Sequence, residues 1–190
     1  VLHHQRRERR LTMRHTYKYD RTTGLMIPTD PAPPLTCNML AVNQLVGFGA
    51  GRRGGGGTPY VYSSSNDDTV RKIDISGSEV WSFTGHTSNV RGVAVDADGY
   101  VYSGSGDNTV RKIDSSGSEV WSFTGHTNRV RGVAVDADGN VYSGSDDNTV
   151  RKIDSSGSEV WSFTGHTSNV WAVAVDADGY VYSGSGDNTV

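Results

Sequence analysis

Histidine, serine and aspartate recur together along the second part of the chain, and these three residue types can perform chemistry. His86, His126 and His166 stand 40 residues apart, and serines and aspartates follow each of them at a constant spacing. A serine activated by a histidine that an aspartate orients would be a nucleophile for acyl transfer. A catalytic triad is a single asymmetric constellation, however, so identical copies of these residues favour a structural role.

Metal and phosphate sites are the other chemistry that these residue types could provide. The three histidines would have to converge on one ion, and we expect hydrogen-bonded loop histidines instead. Asp96-Ala97-Asp98-Gly99 resembles the start of a calcium loop but lacks the later ligands and the bidentate glutamate, so it favours a hairpin turn. The glycine-rich segment 49–54 lacks the Gly-Lys-Ser/Thr of a phosphate loop. The sequence therefore predicts no catalytic residue, no metal site and no cofactor.

The elements that must position these residues come from a repeat of 40 residues. Residues 100–110 and 180–190 are identical, and near copies begin at Tyr60 and Asn140. A period of this length is typical of solenoids, propellers and other arrays in which each unit buries its apolar face against a neighbour. The repeat region consists of the units 60–99, 100–139 and 140–179 and the partial unit 180–190.

Each unit reads as four short strands that are separated by tight turns. Residues 101–105 alternate between two faces, and Gly106-Asp107-Asn108 supplies the residue types of a turn. The next alternation, over 109–114, is imperfect and predicts an irregularity near Lys112. No segment has the 3.6-residue periodicity of a helix. The unit therefore predicts an all-β fold, a β-propeller built of four-stranded antiparallel blades.

The same residues resemble known propeller repeats over residues 60–190. Gly125-His126 and Ser143-Gly144-Ser145 resemble elements of the WD-repeat family. Residues 138–142 (Asp-Gly-Asn-Val-Tyr) are similar to NHL-type repeats, and residues 117–123 are similar to pyrroloquinoline-quinone-type repeats, which have a tryptophan in this strand. All three resemblances imply a β-propeller.

The resemblance to the WD-repeat family also implies a buried hydrogen-bonded network. In that family a histidine, a strand serine, a turn aspartate and a tryptophan form it, so His126, Ser143 or Ser145, and Asp147 would be its first three members here. Ile153 stands where the family has the tryptophan, and its side chain has no N–H to donate, so the network would stop one step short. The corresponding residues of the other units are His86, His166, Asp67 and Asp107.

The number of strands predicts an incomplete ring of about three and a half blades. The sequence supplies three strands, then four, four and two, over residues 60–85, 89–125, 129–165 and 169–186. Propellers close with about four to eight blades, and an open arc leaves unpaired strand edges. We therefore expect a fragment of a longer propeller; the alternative is self-association of several copies through the open blade edges.

The first 59 residues share no repeat with the rest of the chain. They are rich in proline and glycine, which predicts a largely flexible N-terminal segment, 1–59. The first methionine is Met13, and we expect translation to start there, so that residues 1–12 are not translated. Within this segment, Leu45–Phe48 is a candidate for the missing first strand of the first blade.

Charge and composition exclude several classes of partner. The repeats, 60–190, contain nine basic and eighteen acidic residues, and this excess of acid disfavours nucleic acid as their ligand. No apolar run approaches the ~20 residues of a membrane span, so no membrane contact is predicted. Cys37 is the only cysteine, so no disulfide can form within the chain.

The positions at which the units differ are the candidate binding site. Arg91 and Arg131 become Trp171 in the unit 140–179, and Arg129 stands where its neighbours have asparagine. Exposed tryptophan and arginine are enriched at binding hot spots, so these four residues are predicted to contact a protein partner. The predicted function is a non-catalytic interaction scaffold; the alternatives are a quinone-type propeller enzyme with its site in other blades, a surface or virion appendage, and neutral drift of the duplicated units.

Overall fold

The computed structural model of the chain describes residues 17–19, 26–28 and 60–190. The chain divides into two compact units, Val1–Cys37 and Asn38–Val190. In the first unit, β1 (Tyr17–Tyr19) and β2 (Met26–Pro28) pair antiparallel as a short hairpin. This hairpin was not predicted from the sequence.

Two predictions about the N-terminal segment concern residues outside the described ranges. They are the translation start at Met13 and the candidate strand Leu45–Phe48. Both stay predictions, as does the flexibility of residues 1–59.

The described part of the second unit, residues 60–190, contains four antiparallel sheets, and each consists of strands that are consecutive in the chain. The first sheet has three strands, β3 (Tyr60–Ser64), β4 (Val70–Asp74) and β5 (Glu79–Phe83). The second sheet has four, β6 (Val90–Val95), β7 (Val101–Ser105), β8 (Val110–Ile113) and β9 (Glu119–Phe123). The third also has four, β10 (Val130–Val135), β11 (Val141–Ser145), β12 (Val150–Ile153) and β13 (Glu159–Phe163). The last is a hairpin, β14 (Val170–Val175) and β15 (Val181–Ser185).

This division into three, four, four and two strands is the one that the sequence predicted. The fold class is confirmed: an all-β propeller with four-stranded antiparallel blades, of which about three and a half are present in the described part of the chain. The blades of residues 60–190 form an arc and not a closed ring.

The apolar cores lie between neighbouring blades. One cluster joins Tyr102 and Phe123 of the second sheet to Val130 and Val141 of the third. A second cluster joins the first and second sheets in the same way, and a third joins the third sheet to the last hairpin. The strands β7 and β11 are buried along their whole length because blades cover both of their faces. Each repeat therefore buries its apolar residues against the next repeat.

The turn and the strand irregularity that position the polar residues also follow the sequence. The register of β8 and β9 shifts between Lys112 and Ile113, as the imperfect alternation predicted. Asn108 has a φ of 70°, which asparagine tolerates better than most residues. This turn places Asp107 beside the end of β7.

The first strands of successive blades lie side by side. A Cβ on Gly92 of β6 would lie 3.2 Å from the carbonyl oxygen of Arg131 in β10. A Cβ on Gly132 would lie 3.3 Å from the carbonyl oxygen of Trp171 in β14. Residues 91, 131 and 171, the second residues of these strands, therefore form a row, which we call the inner-strand row.

Tryptophan side chains connect each blade to the next on the outer side. The Trp121 Nε1–H of β9 donates a hydrogen bond of 3.1 Å to the carbonyl oxygen of Ser155 in the third sheet. The indole also packs against Gly157, where a Cβ would lie 3.0 Å from the ring, and the φ of 93° at this glycine disfavours other residues. Trp81 makes the same bond to Ser115.

Candidate functional site

The three histidines each lie in a separate hydrogen-bonded set. His126 is positioned by the loop that follows β9, and its Nε2 lies 2.8 Å from Ser143 Oγ of β11. Its Nδ1 lies 2.8 Å from Asp147 Oδ2 in the turn after β11. His86 contacts Ser103 and Asp107 in the same way, and His166 contacts Ser183 and Asp187. We call these the Ser–His–Asp sets.

The serine of each set is the first of the two candidates. Ser143 contacts the histidine, whereas Ser145 Oγ donates to the carbonyl oxygen of Asn128 at 2.9 Å. Ile153, at the position of the family's tryptophan, is fully buried in the apolar core between the blades. Since its side chain has no donor, the network ends at Ser143.

The protonation of the set follows from its surroundings. Burial raises the pKa of Asp147, but hydrogen bonds from Thr149 and His126 outweigh this effect and lower the pKa to about 2. Burial lowers the pKa of His126 below its usual value, against the opposite influence of Asp147. At neutral pH, His126 is therefore a neutral ring that donates from Nδ1 to the ionised Asp147 and accepts at Nε2 from Ser143.

The order serine, histidine and aspartate is that of a hydrolase triad, but the set is closed to a substrate. Ser143 has 0% of its surface exposed and His126 has 4%. A nucleophile has to reach the carbonyl carbon that it attacks, and the Ser143 hydroxyl touches only protein. The arrangement holds the loop before β10 to the turn after β11, and it is built in three blades.

Asp67 does not join a Ser–His–Asp set among the described residues. Its carboxylate accepts from Thr69 Oγ1 at 2.6 Å and pairs with Arg71 at 2.8 Å. The position 40 residues before His86 is Val46, so the sequence provides no histidine for this unit. The assignment of Asp67 to such a network stays a prediction, since its described partners do not include a histidine.

The calcium-like segment is a turn in which the aspartate oxygens are already engaged. Asp96 Oδ1 accepts from the backbone N–H groups of Asp98 and Tyr100, and its Oδ2 accepts from the Tyr102 hydroxyl at 2.9 Å. Gly99 closes the turn with a φ of 86°. Within residues 17–19, 26–28 and 60–190, no group of three or more metal-ligating side chains could hold an ion.

The candidate partner-binding residues lie in and beside the inner-strand row. Trp171 is 60% exposed, which is unusual for a tryptophan, and its ring edge lies over Gly186. Arg129 is exposed in the loop just before β10. The structure thus brings Arg91, Arg131 and Trp171 together on neighbouring strands.

The two arginines of the row differ in their partners. Arg131 pairs with Asp146 through two hydrogen bonds, Nε to Oδ1 at 2.7 Å and Nη2 to Oδ2 at 2.8 Å. This contact raises the pKa of Arg131. Burial, and then the charges of Arg131 and Arg129, lower the pKa of Arg91.

Asp146 was missed by the sequence analysis although a signal was present. The same position of the other units holds Asn66, Gly106 and Gly186, so Asp146 is the only acid among the four. An acid that occurs once, in a blade whose first strand has an arginine in the row, indicates a pair. The contact of Trp121 with Ser155 was missed as well.

In the described part of the chain, no helix has the length and apolar character needed to cross a membrane.

Comparisons with known proteins agree with this architecture. The family model described as outer membrane protein assembly factor BamB, a PQQ-type repeat model, matches residues 66–190. Among solved structures, the chain is similar to the crystal structure of the WD40 beta propeller domain of Doa1, with 27% identity and a TM-score of 0.64 over 68% of this chain. It spans 44% of the length of that chain. No curated protein matches the sequence. The resemblances to WD-type and PQQ-type propeller repeats are thus confirmed.

Proposed function

The chain belongs to the PQQ-type propeller repeat family described as outer membrane protein assembly factor BamB, and on this premise we propose that it is a non-catalytic interaction scaffold. Its protein partner binds at the inner-strand row and the loops beside it. The family description, an assembly factor, supports a role in holding proteins together.

The exposed Trp171 is the observation that carries this proposal. The ring presents a large apolar surface at 60% exposure, and its edge lies against Gly186, while the Trp171 backbone lies beside Gly132 of the neighbouring strand. Tryptophan and arginine contribute most often to the affinity of protein interfaces, and they do so near the centre of the contact. A row that combines two arginines with this tryptophan suits a peptide with an apolar and an acidic side chain.

The Ser–His–Asp sets support a scaffold over an enzyme. Their distances are the same in three blades, and Ser103 and Ser143 are fully buried. Each set connects a loop to a turn of the same blade, which is a structural task.

Photo-cross-linking tests the proposal. In separate variants, Trp171 and Arg129 are each replaced by p-benzoylphenylalanine. The same replacement of Val120 of β9, which is 50% exposed, provides a control at an outer strand. In an extract of the producing cells, we expect one protein to be captured from position 171 and from position 129, and none from position 120. Equal capture from positions 171 and 120 would contradict a partner site at the inner-strand row.

The Trp171→Ala variant measures the energy of the contact. Because the side chain is exposed, we expect an unchanged melting temperature and an affinity for the captured protein that falls at least tenfold. Unchanged affinity would remove Trp171 from the site.

A quinone-type propeller enzyme is the second candidate, which the PQQ-type family match favours. In that case the chain would supply blades around a site that other blades complete. A titration of pyrroloquinoline quinone with the purified chain, in which the absorbance of the quinone is measured, tests this candidate. A change that saturates with the protein concentration would support the enzyme.

A further inference from the structure

Arg91 occupies the position of Arg131 but lacks the acid that Arg131 has. In the third blade the carboxylate of Asp146 lies flat against the Arg131 guanidinium with two hydrogen bonds. The equivalent residue of the second blade is Gly106, which has no side chain to offer. The third blade therefore contains the arginine and its carboxylate, and the second blade contains the arginine alone.

The Arg91 guanidinium is left with an unsatisfied donor. Its Nε is buried and has no hydrogen-bond partner. Arg91 makes no side-chain hydrogen bond or ion pair with the other residues that the structure describes. A buried donor without an acceptor is unfavourable, and an oxygen ligand that reaches this atom would remove the penalty.

We propose that Arg91 is an anion site, at which a carboxylate of the protein partner takes the place that Asp146 occupies beside Arg131. The ligand is a glutamate or aspartate side chain, or a C-terminus, that accepts two hydrogen bonds from the guanidinium. This inference rests on the proposed scaffold function, because it specifies the chemistry of the same partner.

The surroundings of Arg91 favour an anion. Burial lowers the pKa of Arg91 most, repulsion from Arg131 and Arg129 lowers it further, and Asp146 acts in the opposite direction. A negatively charged ligand relieves this repulsion. Asp146 already compensates Arg131, so Arg91 and Arg129 remain as the cations that a ligand can neutralise.

A carboxylate fits better than a phosphate for two reasons. The neighbouring pair shows that this strand and turn geometry accepts a planar carboxylate with two parallel hydrogen bonds, the arrangement that an arginine fork prefers. The repeats as a whole are acidic, with eighteen acidic against nine basic residues. A singly charged carboxylate is repelled less by this background than a doubly charged phosphate.

The chain itself provides the matched variants for the test. The double variant Ser88→Asn/Gly106→Asp gives the second blade the residues of the third, Asn128 and Asp146. The change at residue 88 is needed because a Cβ on Gly106 would lie 2.8 Å from Ser88 Oγ. The reciprocal variant Asn128→Ser/Asp146→Gly leaves Arg131 without its internal carboxylate, as Arg91 is now. Both variants copy residues that an adjacent blade already accommodates, so both are expected to fold.

The readout is the NMR signal of the arginine Nε–H groups. The probes are N-acetyl-glutamate amide, N-acetyl-glutamine amide as the uncharged analogue, and inorganic phosphate. We expect glutamate to shift the Arg91 Nε–H signal in the wild type and glutamine to leave it unchanged. In Ser88→Asn/Gly106→Asp, the affinity of glutamate for this site falls at least tenfold, since the internal aspartate fills it. In Asn128→Ser/Asp146→Gly, the Arg131 signal begins to respond to glutamate.

Three results would overturn the inference. They are an Arg91 signal that no probe shifts, one that glutamine shifts as strongly as glutamate, and tighter binding of phosphate than of glutamate. If the captured partner loses affinity in Trp171→Ala but keeps it in Ser88→Asn/Gly106→Asp, the carboxylate site is wrong while the scaffold function stands. If neither variant changes the capture of the partner, the scaffold site itself is wrong.

Discussion

The Ser–His–Asp sets and the inner-strand row lie in the same repeats, yet one is constant and the other varies. His86, His126 and His166 have the same partners at 2.8–2.9 Å in three blades. The row holds an arginine without a described partner, an arginine paired with Asp146 and an exposed tryptophan. A change at the buried histidine would leave a buried serine and aspartate without this partner, whereas the residues of the row already differ between blades. The difference separates residues that maintain the blade from residues that recognise something else.

His126→Ala should have the largest effect and so sharpens this comparison most. The change leaves the buried Asp147 carboxylate and the Ser143 hydroxyl without their partner. We expect the free energy of unfolding to fall by about 3 kcal/mol, since the change removes two buried hydrogen bonds, one of them to an ionised carboxylate, and leaves their polar atoms in the interior. Urea denaturation measures it.

His166→Ala is the matched control for this prediction. The last hairpin is covered on fewer sides, and Tyr182 of β15 is half exposed, in contrast with the buried Tyr142 of β11. We therefore expect a smaller loss from His166→Ala. Equal losses would show that the stability contributed by a Ser–His–Asp set does not depend on how well its blade is covered.

Much of the fold was predictable because it depends on local patterns that repeat. The alternation in residues 101–105 and the turn residues at 106–108 each specify structure within a few residues. The bulge at Lys112 is visible as a break in the same alternation. Thirteen strands follow from counting these patterns.

The parts that sequence could not predict depend on the angle between blades or on the choice between equivalent atoms. Ser143 and Ser145 lie on the same face of β11, so alternation alone could not decide which one contacts His126. The bond from Trp121 to Ser155 spans 34 residues and exists only because the third blade packs at a particular twist against the second. The pairing of Arg131 with Asp146 also needs the register of β10 and β11, which contains a bulge.

Trp121→Ala should have the second largest effect. It compares the contribution to stability of contacts between blades with that of contacts within a blade. The change removes the hydrogen bond to the Ser155 carbonyl and the packing against Gly157. We expect a loss of about 2 kcal/mol in the free energy of unfolding, less than for a fully buried tryptophan because this indole is partly exposed.

Trp161→Ala provides the control in the same protein. Trp161 lies on β13, is 37% exposed, and donates no hydrogen bond within the described residues. Its contact with the Tyr142 ring, at 6.0 Å between centroids, matches that of Trp121 with Tyr102, at 6.1 Å. We expect a loss below about 1 kcal/mol. A loss as large as that of Trp121→Ala would assign the stability to the tyrosine contact and not to the next blade.

A decrease in pH should weaken the Ser–His–Asp sets and leave the arginines of the inner-strand row unchanged. We expect this effect on stability to be smaller than that of His126→Ala. Burial keeps the folded pKa of His126 below its usual 6.5, so the unfolded chain takes up a proton near this pH that the folded chain does not. The stability that His126 contributes in this way is therefore fully present above about pH 6.5, and it is lost as the pH decreases toward the folded pKa. The pKa of Asp147, about 2 in the folded chain against 3.8 in the reference state, adds a further loss as the pH falls from 3.8 toward 2. We expect the free energy of unfolding to decrease between pH 7.5 and about pH 5, by less than the loss caused by His126→Ala.

His126→Gln assigns this acid sensitivity, because glutamine does not titrate and can still donate and accept hydrogen bonds. The variant should be less stable at pH 7.5 but should lose less stability than the wild type on going to about pH 5. Equal losses in both proteins would show that another group carries the sensitivity. The arginines of the inner-strand row stay charged throughout this range, so binding of glutamate to Arg91 should not change between pH 7.5 and about pH 6. A binding loss that parallels the stability loss would mean that the row depends on the Ser–His–Asp sets, and the separation of the two regions would then be wrong.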